Sequence, residues 1–304
     1  MRVLVTGFDG QVARSLRETA SGDPSLTMKF AARPELDLSD PTTISSVVQV
    51  FRPDLVINPA AYTAVDKAES EPDLAMAINR DGAGAVAAAA ADLGIPIIHL
   101  STDYVFDGRK TGPYDEDDPV APQGVYGQTK LEGERAVARA NPKHVILRTA
   151  WVYAPFGANF VRTMIRLAAE RDALRVVDDQ VGCPTYAPDI AAAVLAIANQ
   201  INETDWRDDY AGVTHLAGPD ETSWCGFARA IVSGGVERGG RPVPVEAIFT
   251  SDFPTPAKRP ANSRLSTNRL SDVFDIKLPP LQASLGNCLD RLVGARTVAA
   301  ETPS

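Results

Sequence analysis

Tyr126 and Lys130 stand four positions apart in VYGQTKLEGE (125–134). On a helix, positions i and i+4 share a face, so a phenol and an ammonium at this spacing reach one spot. A cation beside a phenol favours the phenolate and lowers its pKa from about 10. The pair therefore predicts a tyrosine that gives up its proton near neutral pH. A packing tyrosine beside a solvated lysine has the same spacing, and Y-x-x-x-K alone does not choose between the two.

A second chemical signal lies at the N-terminus. TGFDGQVA sets Gly7, Gly10 and Ala13 in G-x-x-G-x-x-A spacing, directly after the apolar run RVLVT. Glycine allows a tight turn and close backbone approach, and a small third residue lets strand and helix pack closely. Free N–H groups and a positive dipole at the following helix end suit a pyrophosphate. This predicts dinucleotide binding at Gly7 and Gly10. An acidic residue at the end of the second strand would hold a ribose diol. Here that end reads Ala31, Ala32 and Arg33. Arg33 suits a 2′-phosphate, which favours NADPH and leaves NADH possible; a solvated strand-end arginine is the alternative. Asp37 and Leu38 follow and can border the adenine.

The elements that must hold these residues alternate. RVLVT (2–6), MKFAA (28–32), DLVINPA (54–60), IPIIHLS (95–101) and KHVILRTAWVY (143–153) read as strands. Between them, a pattern running to about Ala20, then TTISSVVQVFR (42–52), DLAMAINRDGAGAVAAAAADLG (73–94) and YGQTKLEGERAVARA (126–140), read as helices. Such alternation implies an α/β fold, a Rossmann-like doubly wound parallel sheet with helices on both faces. After Tyr153 the rhythm changes. A helix (159–171), a strand with a polar exit (174–182), a sheet-packing helix (188–201) and a strand (214–218) follow, then SWCGFARAIVSGG and a proline-rich segment. The expected division is a nucleotide-binding domain of 1–153 plus about 187–218. A smaller C-terminal substrate-binding lobe takes about 154–186 plus 219–304. The only low-complexity stretch is the polar tail ETPS (301–304).

Composition narrows the function classes. A net charge of −9 with no Lys/Arg run argues against a nucleic-acid surface. Three scattered cysteines suggest no disulfide framework, and three scattered histidines form no zinc spacing, so no metal ligand is assigned. The apolar N-terminus is too short for a signal peptide, and no apolar run reaches membrane-spanning length. A cytoplasmic enzyme, with no membrane or nucleic-acid partner, is the expectation.

In chain order, the glycine turn, Asp37-Leu38, NPAAYT (58–63), STDYVFDG (101–108) and Y-x-x-x-K make the chain resemble the extended short-chain dehydrogenase/reductase family. Longer strings carry the likeness along nearly the whole chain: NPAAYTAVDKAESEP (58–72), RTAWVY (148–153), DDQVGCPTYAPDIA (178–191) and RPANSRLS (259–266). The resemblance implies a catalytic set of Thr102, Tyr126 and Lys130. It implies that Gly10, Gln11 and Val12 meet the pyrophosphate, and that Asp37 and Leu38 lie near adenine. Ala61, Tyr62, Thr63 and Leu100 would lie along the cofactor, which Tyr126 and Lys130 also touch. Thr102, Asp103 and Trp151 would meet a nucleotide sugar, with Gln180 as a weaker contact. Arg264 and Arg259 are candidates for its pyrophosphate, which needs cations.

The implied reaction is NAD(P)H-dependent reduction of the C4 ketone of dTDP-4-dehydro-L-rhamnose to dTDP-L-rhamnose. The alternatives are the same chemistry on another nucleotide sugar, or a non-catalytic regulatory subunit that keeps the fold. Intact Thr102, Tyr126 and Lys130 weigh toward an enzyme. Thr102 and Trp151 also have plainer readings, as a turn cap and as strand-end core. Some relatives bind magnesium through carboxylates at a dimer interface. No matching carboxylate set is found, which leaves magnesium, and monomer versus homodimer, open.

Overall fold

The computed structural model describes residues 1–294, so the tail 301–304 lies outside the described residues. The first half of the chain is built as the apolar pattern requires. β1 (Arg2–Thr6) is buried beyond its first residue, and β3 (Leu55–Asn58) and β4 (Ile97–Thr102) are buried throughout. Such near-continuous burial belongs to strands covered on both faces. β2 (Thr27–Ala31), β5 (His144–Thr149) and β10 (Gly212–His215) complete a six-stranded parallel sheet ordered β10-β5-β4-β3-β1-β2. The order reverses at β1. Ligands of open α/β sheets bind outside the carboxyl ends of the strands, at such a reversal.

Helices cover both faces. α1 (Gln11–Thr19) lies on one, with the later α8 (Ala187–Thr204), around Leu16, Val194 and Ile197. α2 (Pro41–Phe51) lies on the other. It starts at Asp40, whose side chain accepts from the Thr42 N–H, with Pro41 in the first turn. A short α3 (Val65–Ala68), unforeseen in the sequence, precedes the run expected as one helix over 73–94. That run is α4 (Pro72–Met76), a π-helical segment (Ala77–Gly82) and α5 (Ala83–Asp92). The wider turn lies where Gly82 presses against the Leu38 backbone, leaving no room for a Cβ. It carries Ile78 to the edge of the main cavity and buries Asn79.

α6 (Val125–Ala140) carries Tyr126 and Lys130 and approaches its neighbours through glycines. A Cβ on Gly133 would overlap the Asn79 carbonyl, and one on Gly127 the Tyr104 carbonyl. These contacts set α6 close to the π segment and to the loop after β4.

The strand expected over 143–153 does not run through. β5 stops at Thr149, and Trp151 takes a left-handed φ of 48°. β6 (Val152–Tyr153) then leaves to pair with β9 (Thr185–Tyr186). The break lets the Trp151 ring stack on Trp224 at 3.6 Å between centroids, against Gly182, where a Cβ would collide with the indole. The strand expected over 174–182 also divides. β7 (Leu174–Val177) pairs with β12 (Val245–Ile248), and β8 (Val181–Gly182) lies between β11 (Thr222–Ser223) and β13 (Asn262–Ser263). α7 (Phe160–Glu170), α9 (Trp224–Val236) and α11 (Leu281–Val293) close a second core around Phe227, Ile231 and Leu289. One part of the expected lobe returns to the sheet. α10 (Asn268–Phe274) buries Leu270 and Phe274 in the first core, followed by Ile276 and Leu278, because these apolar side chains cover β10 and Tyr210. Among the described residues no helix is long and apolar enough to cross a membrane.

Behind the sheet edge lies a buried ion pair. Arg148 of β5 donates twice to Glu134 of α6, at 2.9 and 2.8 Å, and Ser101 of β4 donates to the same carboxylate at 2.5 Å. The two charged side chains are 4 % and 5 % exposed. Removing one partner of such a pair strands a buried charge and costs about 3–5 kcal/mol, whereas an apolar pair of similar volume is often tolerated. Glu134→Ala should therefore lose roughly that much in urea unfolding, and Glu134→Leu combined with Arg148→Met should recover most of it. A single-variant loss under about 1 kcal/mol would show that the pair contributes no more than an exposed one.

Candidate active site

The C-terminal edge of the sheet opens into a cavity of about 760 Å³. Its first wall is the turn between β1 and α1. Gly7 adopts φ 86°, a backbone that favours glycine, and packs against Ala60 and Ala13. Gly10 precedes α1 with its missing Cβ aimed at open space. Gln11 and Val12, which open α1 and line the same void, belong to a helix N-terminus whose first N–H groups have no partner within the helix. That is the cradle a pyrophosphate requires, so the residues present fit a dinucleotide.

From this turn the cavity runs to the β2 end, where Arg33, Asp37 and Leu38 border it. Arg33 is exposed, and its guanidinium makes no hydrogen bond or ion pair among the described residues. Asp37 accepts from the Ser39 N–H and hydroxyl, which hold its carboxyl below the usual carboxylate range. Ala61 and Thr63 line the wall beside β3. Tyr62 does not. Its phenol donates to Glu71 at 2.7 Å, which turns the side chain aside, and the residue stands outside the cavity lining. Asn79 fixes the Tyr62 backbone: its Oδ1 accepts from the Tyr62 N–H at 2.8 Å, and its Nδ2 donates to the Tyr62 carbonyl at 3.1 Å and to Thr129 Oγ1 at 3.0 Å. Thr129 in turn donates to the Tyr126 carbonyl at 2.9 Å. One buried amide thus ties the β3 loop to the helix bearing Tyr126.

The far end gathers Leu100, Thr102, Asp103, Tyr126, Lys130 and Trp151, all as the sequence suggested. The Thr102 hydroxyl donates to Asp103 at 3.0 Å. The Tyr104 ring meets Tyr126 edge-on, 5.5 Å between centroids. Lys130 behaves otherwise than its spacing suggested. Its ammonium donates to the Leu100 carbonyl at 2.6 Å and lies 3.4 Å from His99 Nε2. His99 is backed by Asn58 at 3.0 Å, and Asn58 by Thr6 at 2.5 Å. Burial lowers Lys130 to about 8, against the pull of Glu134, and keeps His99 neutral, with the Lys130 charge adding to that effect. The Tyr126 phenol is pushed up, not down: burial raises it, while the Thr102 hydroxyl pulls the other way. Desolvation of a phenolate outweighs the field of an ammonium aimed at a carbonyl.

Besides Tyr62, three candidates stand outside the cavity lining. Gln180 is buried in the lobe and donates to Thr250 at 3.0 Å. Arg264 is committed to Asn262 at 2.8 Å, Glu221 at 2.9 Å and the Thr111 carbonyl at 2.5 Å, so it fastens the lobe instead of offering a free cation. Arg259 pairs with Asp66 at 2.7 Å and donates to the Tyr104 hydroxyl at 3.1 Å. It touches the site through Tyr104, which does line the cavity. Sequence reasoning missed Asn79, Glu134 and Arg148, whose roles depend on partners 14 to 50 residues away. Their one available signal was a polar or charged residue on an otherwise apolar face. Among the described residues no group of three or more His, Cys, Asp or Glu side chains is placed to hold a metal ion.

Comparison with known proteins adds the family. The model described as RmlD substrate binding domain matches residues 1–293. A dTDP-4-dehydrorhamnose reductase of Sinorhizobium fredii is 50% identical over 284 residues, covering 93% of this chain and 95% of its own. The enzyme of that name from Escherichia coli K12 is 41% identical over 298 residues, covering 96% and 98%. A crystal structure of a dTDP-4-dehydrorhamnose reductase from Clostridium acetobutylicum superposes with a TM-score of 0.88 at 40% identity, covering 96% of this chain and 99% of that one. One from Bacillus anthracis in complex with NADP gives 0.85 at 36% identity, covering 94% and 97%.

The electrostatics of Asp103 can be tested without any ligand. Burial pushes its carboxyl from 3.8 to about 6, against the Ser263 and Thr102 hydroxyls. Between those values the folded state binds more protons than the unfolded one, so stability falls as pH rises through that window and the full penalty stands above it. Asp103→Asn should therefore stabilise the free protein near pH 7.5, by at most about 3 kcal/mol at about 1.4 kcal/mol per pKa unit. The gain should shrink as pH falls toward about 4. Unfolding midpoints at both ends of the range check this; a gain independent of pH would refute the assignment.

Proposed function

This chain belongs to the RmlD substrate binding domain family, and from that premise we propose NAD(P)H-dependent reduction of the C4 ketone of dTDP-4-dehydro-β-L-rhamnose to dTDP-β-L-rhamnose as its reaction. The observation that carries the site assignment is the meeting of Thr102, Tyr126 and Lys130 in one cavity with the glycine turn of β1 and α1. A regulatory subunit would need the turn but not the acid.

When bound, the nicotinamide cofactor supplies the hydride, and the protein supplies position and field. Gly10, Gln11 and Val12 would hold the pyrophosphate, Asp37 and Leu38 the adenine side, and Ala61 and Thr63 the length beyond. Tyr126 is the general acid. Its raised pKa keeps the proton on the phenol until negative charge grows on the ketone oxygen, which then takes it. Thr102 would turn its one hydroxyl hydrogen from Asp103 to that same oxygen and hold the carbonyl in register. Lys130, anchored on the Leu100 carbonyl, would bond the nicotinamide ribose, and its charge would favour the phenolate left after proton transfer. Trp151, stacked on Trp224, walls the sugar side. Arg259 is the better candidate of the two arginines for the substrate pyrophosphate, because Tyr104 joins it to the cavity.

Tyr126→Phe should retain cofactor binding and lose roughly 10²- to 10⁴-fold in turnover, the usual worth of a positioned general acid. The assay follows nicotinamide absorbance with the 4-keto sugar nucleotide made in situ. Turnover near that of the unaltered protein would remove Tyr126 from the mechanism. Arg33, exposed at the adenine end, is assigned to the 2′-phosphate and sets a preference for NADPH. Its replacement by alanine should weaken NADPH binding about tenfold or more, as befits a charged hydrogen bond of roughly 1.5–3 kcal/mol, and leave NADH almost unchanged. Equal effects on both cofactors would return Arg33 to the solvated surface.

A further inference from the structure

Thr149 ends β5 directly beside Thr102, its partner in the β4–β5 register. It borders the cavity and is 8 % exposed. Neighbouring polar side chains along this edge are engaged: Thr6 donates to Asn58 at 2.5 Å, Ser101 to Glu134 at 2.5 Å, and Thr102 to Asp103 at 3.0 Å. The Thr149 hydroxyl, its side chain's one polar atom, is buried and without a hydrogen-bond partner among the described residues, whereas Asp103 and Arg148 each leave one atom unmet and bond through another. A buried polar group left unmet costs stability, and valine would fill nearly the same volume in a strand without that cost. Packing therefore does not account for the hydroxyl.

We propose that Thr149 is a ligand-binding residue whose hydroxyl meets an uncharged group able both to donate and to accept, either the carboxamide of the nicotinamide or a hydroxyl of the sugar. The position argues for these two. A dinucleotide with its adenine by Arg33 and its pyrophosphate at Gly10 brings its other end toward β4. β5 lies one strand beyond, level with Thr102, where sugar and nicotinamide must meet. The assignment rests on the reading that Thr102 and Tyr126 face the reacting carbon. A hydroxyl can serve either partner, since it carries one donor and two acceptor sites.

Thr149→Val separates ligand binding from a packing role, and both arms are binding measurements that need no turnover. NADPH affinity is read by fluorescence titration without sugar, and dTDP-L-rhamnose affinity by calorimetry on the protein saturated with NADP⁺. One of the two should weaken about three- to tenfold, the worth of one neutral hydrogen bond. Loss in the first arm identifies the carboxamide as partner, and loss in the second a sugar hydroxyl. The unfolding midpoint of the free Val variant should be unchanged or higher, and Thr149→Ser should restore the affected affinity to within about twofold. Unchanged affinity in both arms overturns the proposal, as does a fall in midpoint that Ser fails to restore. Absence of turnover in the unaltered protein would refute the reductase reading instead, and would leave the Thr149 comparison intact.

Discussion

The closeness of α6 to the sheet edge is the constraint on which the site depends. Tyr126 and Lys130 project from this helix, and both must reach groups at the ends of β4 and β5. Gly127 and Gly133 let the helix touch backbone where any side chain would hold it off. Behind it, the Glu134 carboxylate binds Arg148 of β5 and Ser101 of β4 together. Asn79 adds a tie to the loop after β3 through Thr129. A shift of α6 would have to break all of these at once. Positioning at this level is what the proposed catalytic set of three ordinary side chains requires.

The same closeness has an electrostatic consequence. Lys130, Glu134, Arg148 and Asp103 are all nearly inaccessible to solvent. Each charge is offset locally, by a carbonyl, a carboxylate, a guanidinium or a hydroxyl. The offsets are incomplete at the cavity itself: Asp103 and Tyr126 are raised and Lys130 is lowered, in each case mainly by burial. Groups shifted in this way cluster where chemistry is done, because an environment that disfavours charge also strengthens every interaction with charge as it develops. The core on the opposite side of the sheet shows none of this. It is built from Leu16, Val194, Ile197 and their neighbours.

The lobe contributes a second kind of control. Trp151 leaves the sheet at a single left-handed residue, and its indole fills the space over Gly182 against Trp224. Arg264 and Arg259 both belong to the segment RPANSRLS, yet they serve different ends. Arg264 binds Glu221 within the lobe and the Thr111 carbonyl in the segment after β4. Arg259 spans from the lobe to Asp66 and Tyr104 of the nucleotide-binding side. The two carry the same charge, and only the partners around them tell them apart.

What the sequence determined by itself was local or periodic. Alternation of apolar runs gave the parallel sheet, because strands buried on both faces must be apolar throughout. The glycine turn was legible because few residues other than glycine adopt φ 86° at Gly7. The four-residue spacing placed Tyr126 and Lys130 on one face, and the resemblance placed Thr102 beside them. Tertiary structure decided the rest, since it depends on atoms far apart in the chain. The direction of the Tyr126 shift followed from burial, which spacing does not carry. The target of the Lys130 ammonium was the Leu100 carbonyl, 30 residues away. The strand break at Thr149 came from a tryptophan that stacks on a partner 73 positions later in sequence (Trp151 to Trp224). The return of α10 to the first core was hidden for the same reason: an apolar segment shows that it will be buried, and only the assembled fold settles against which surface.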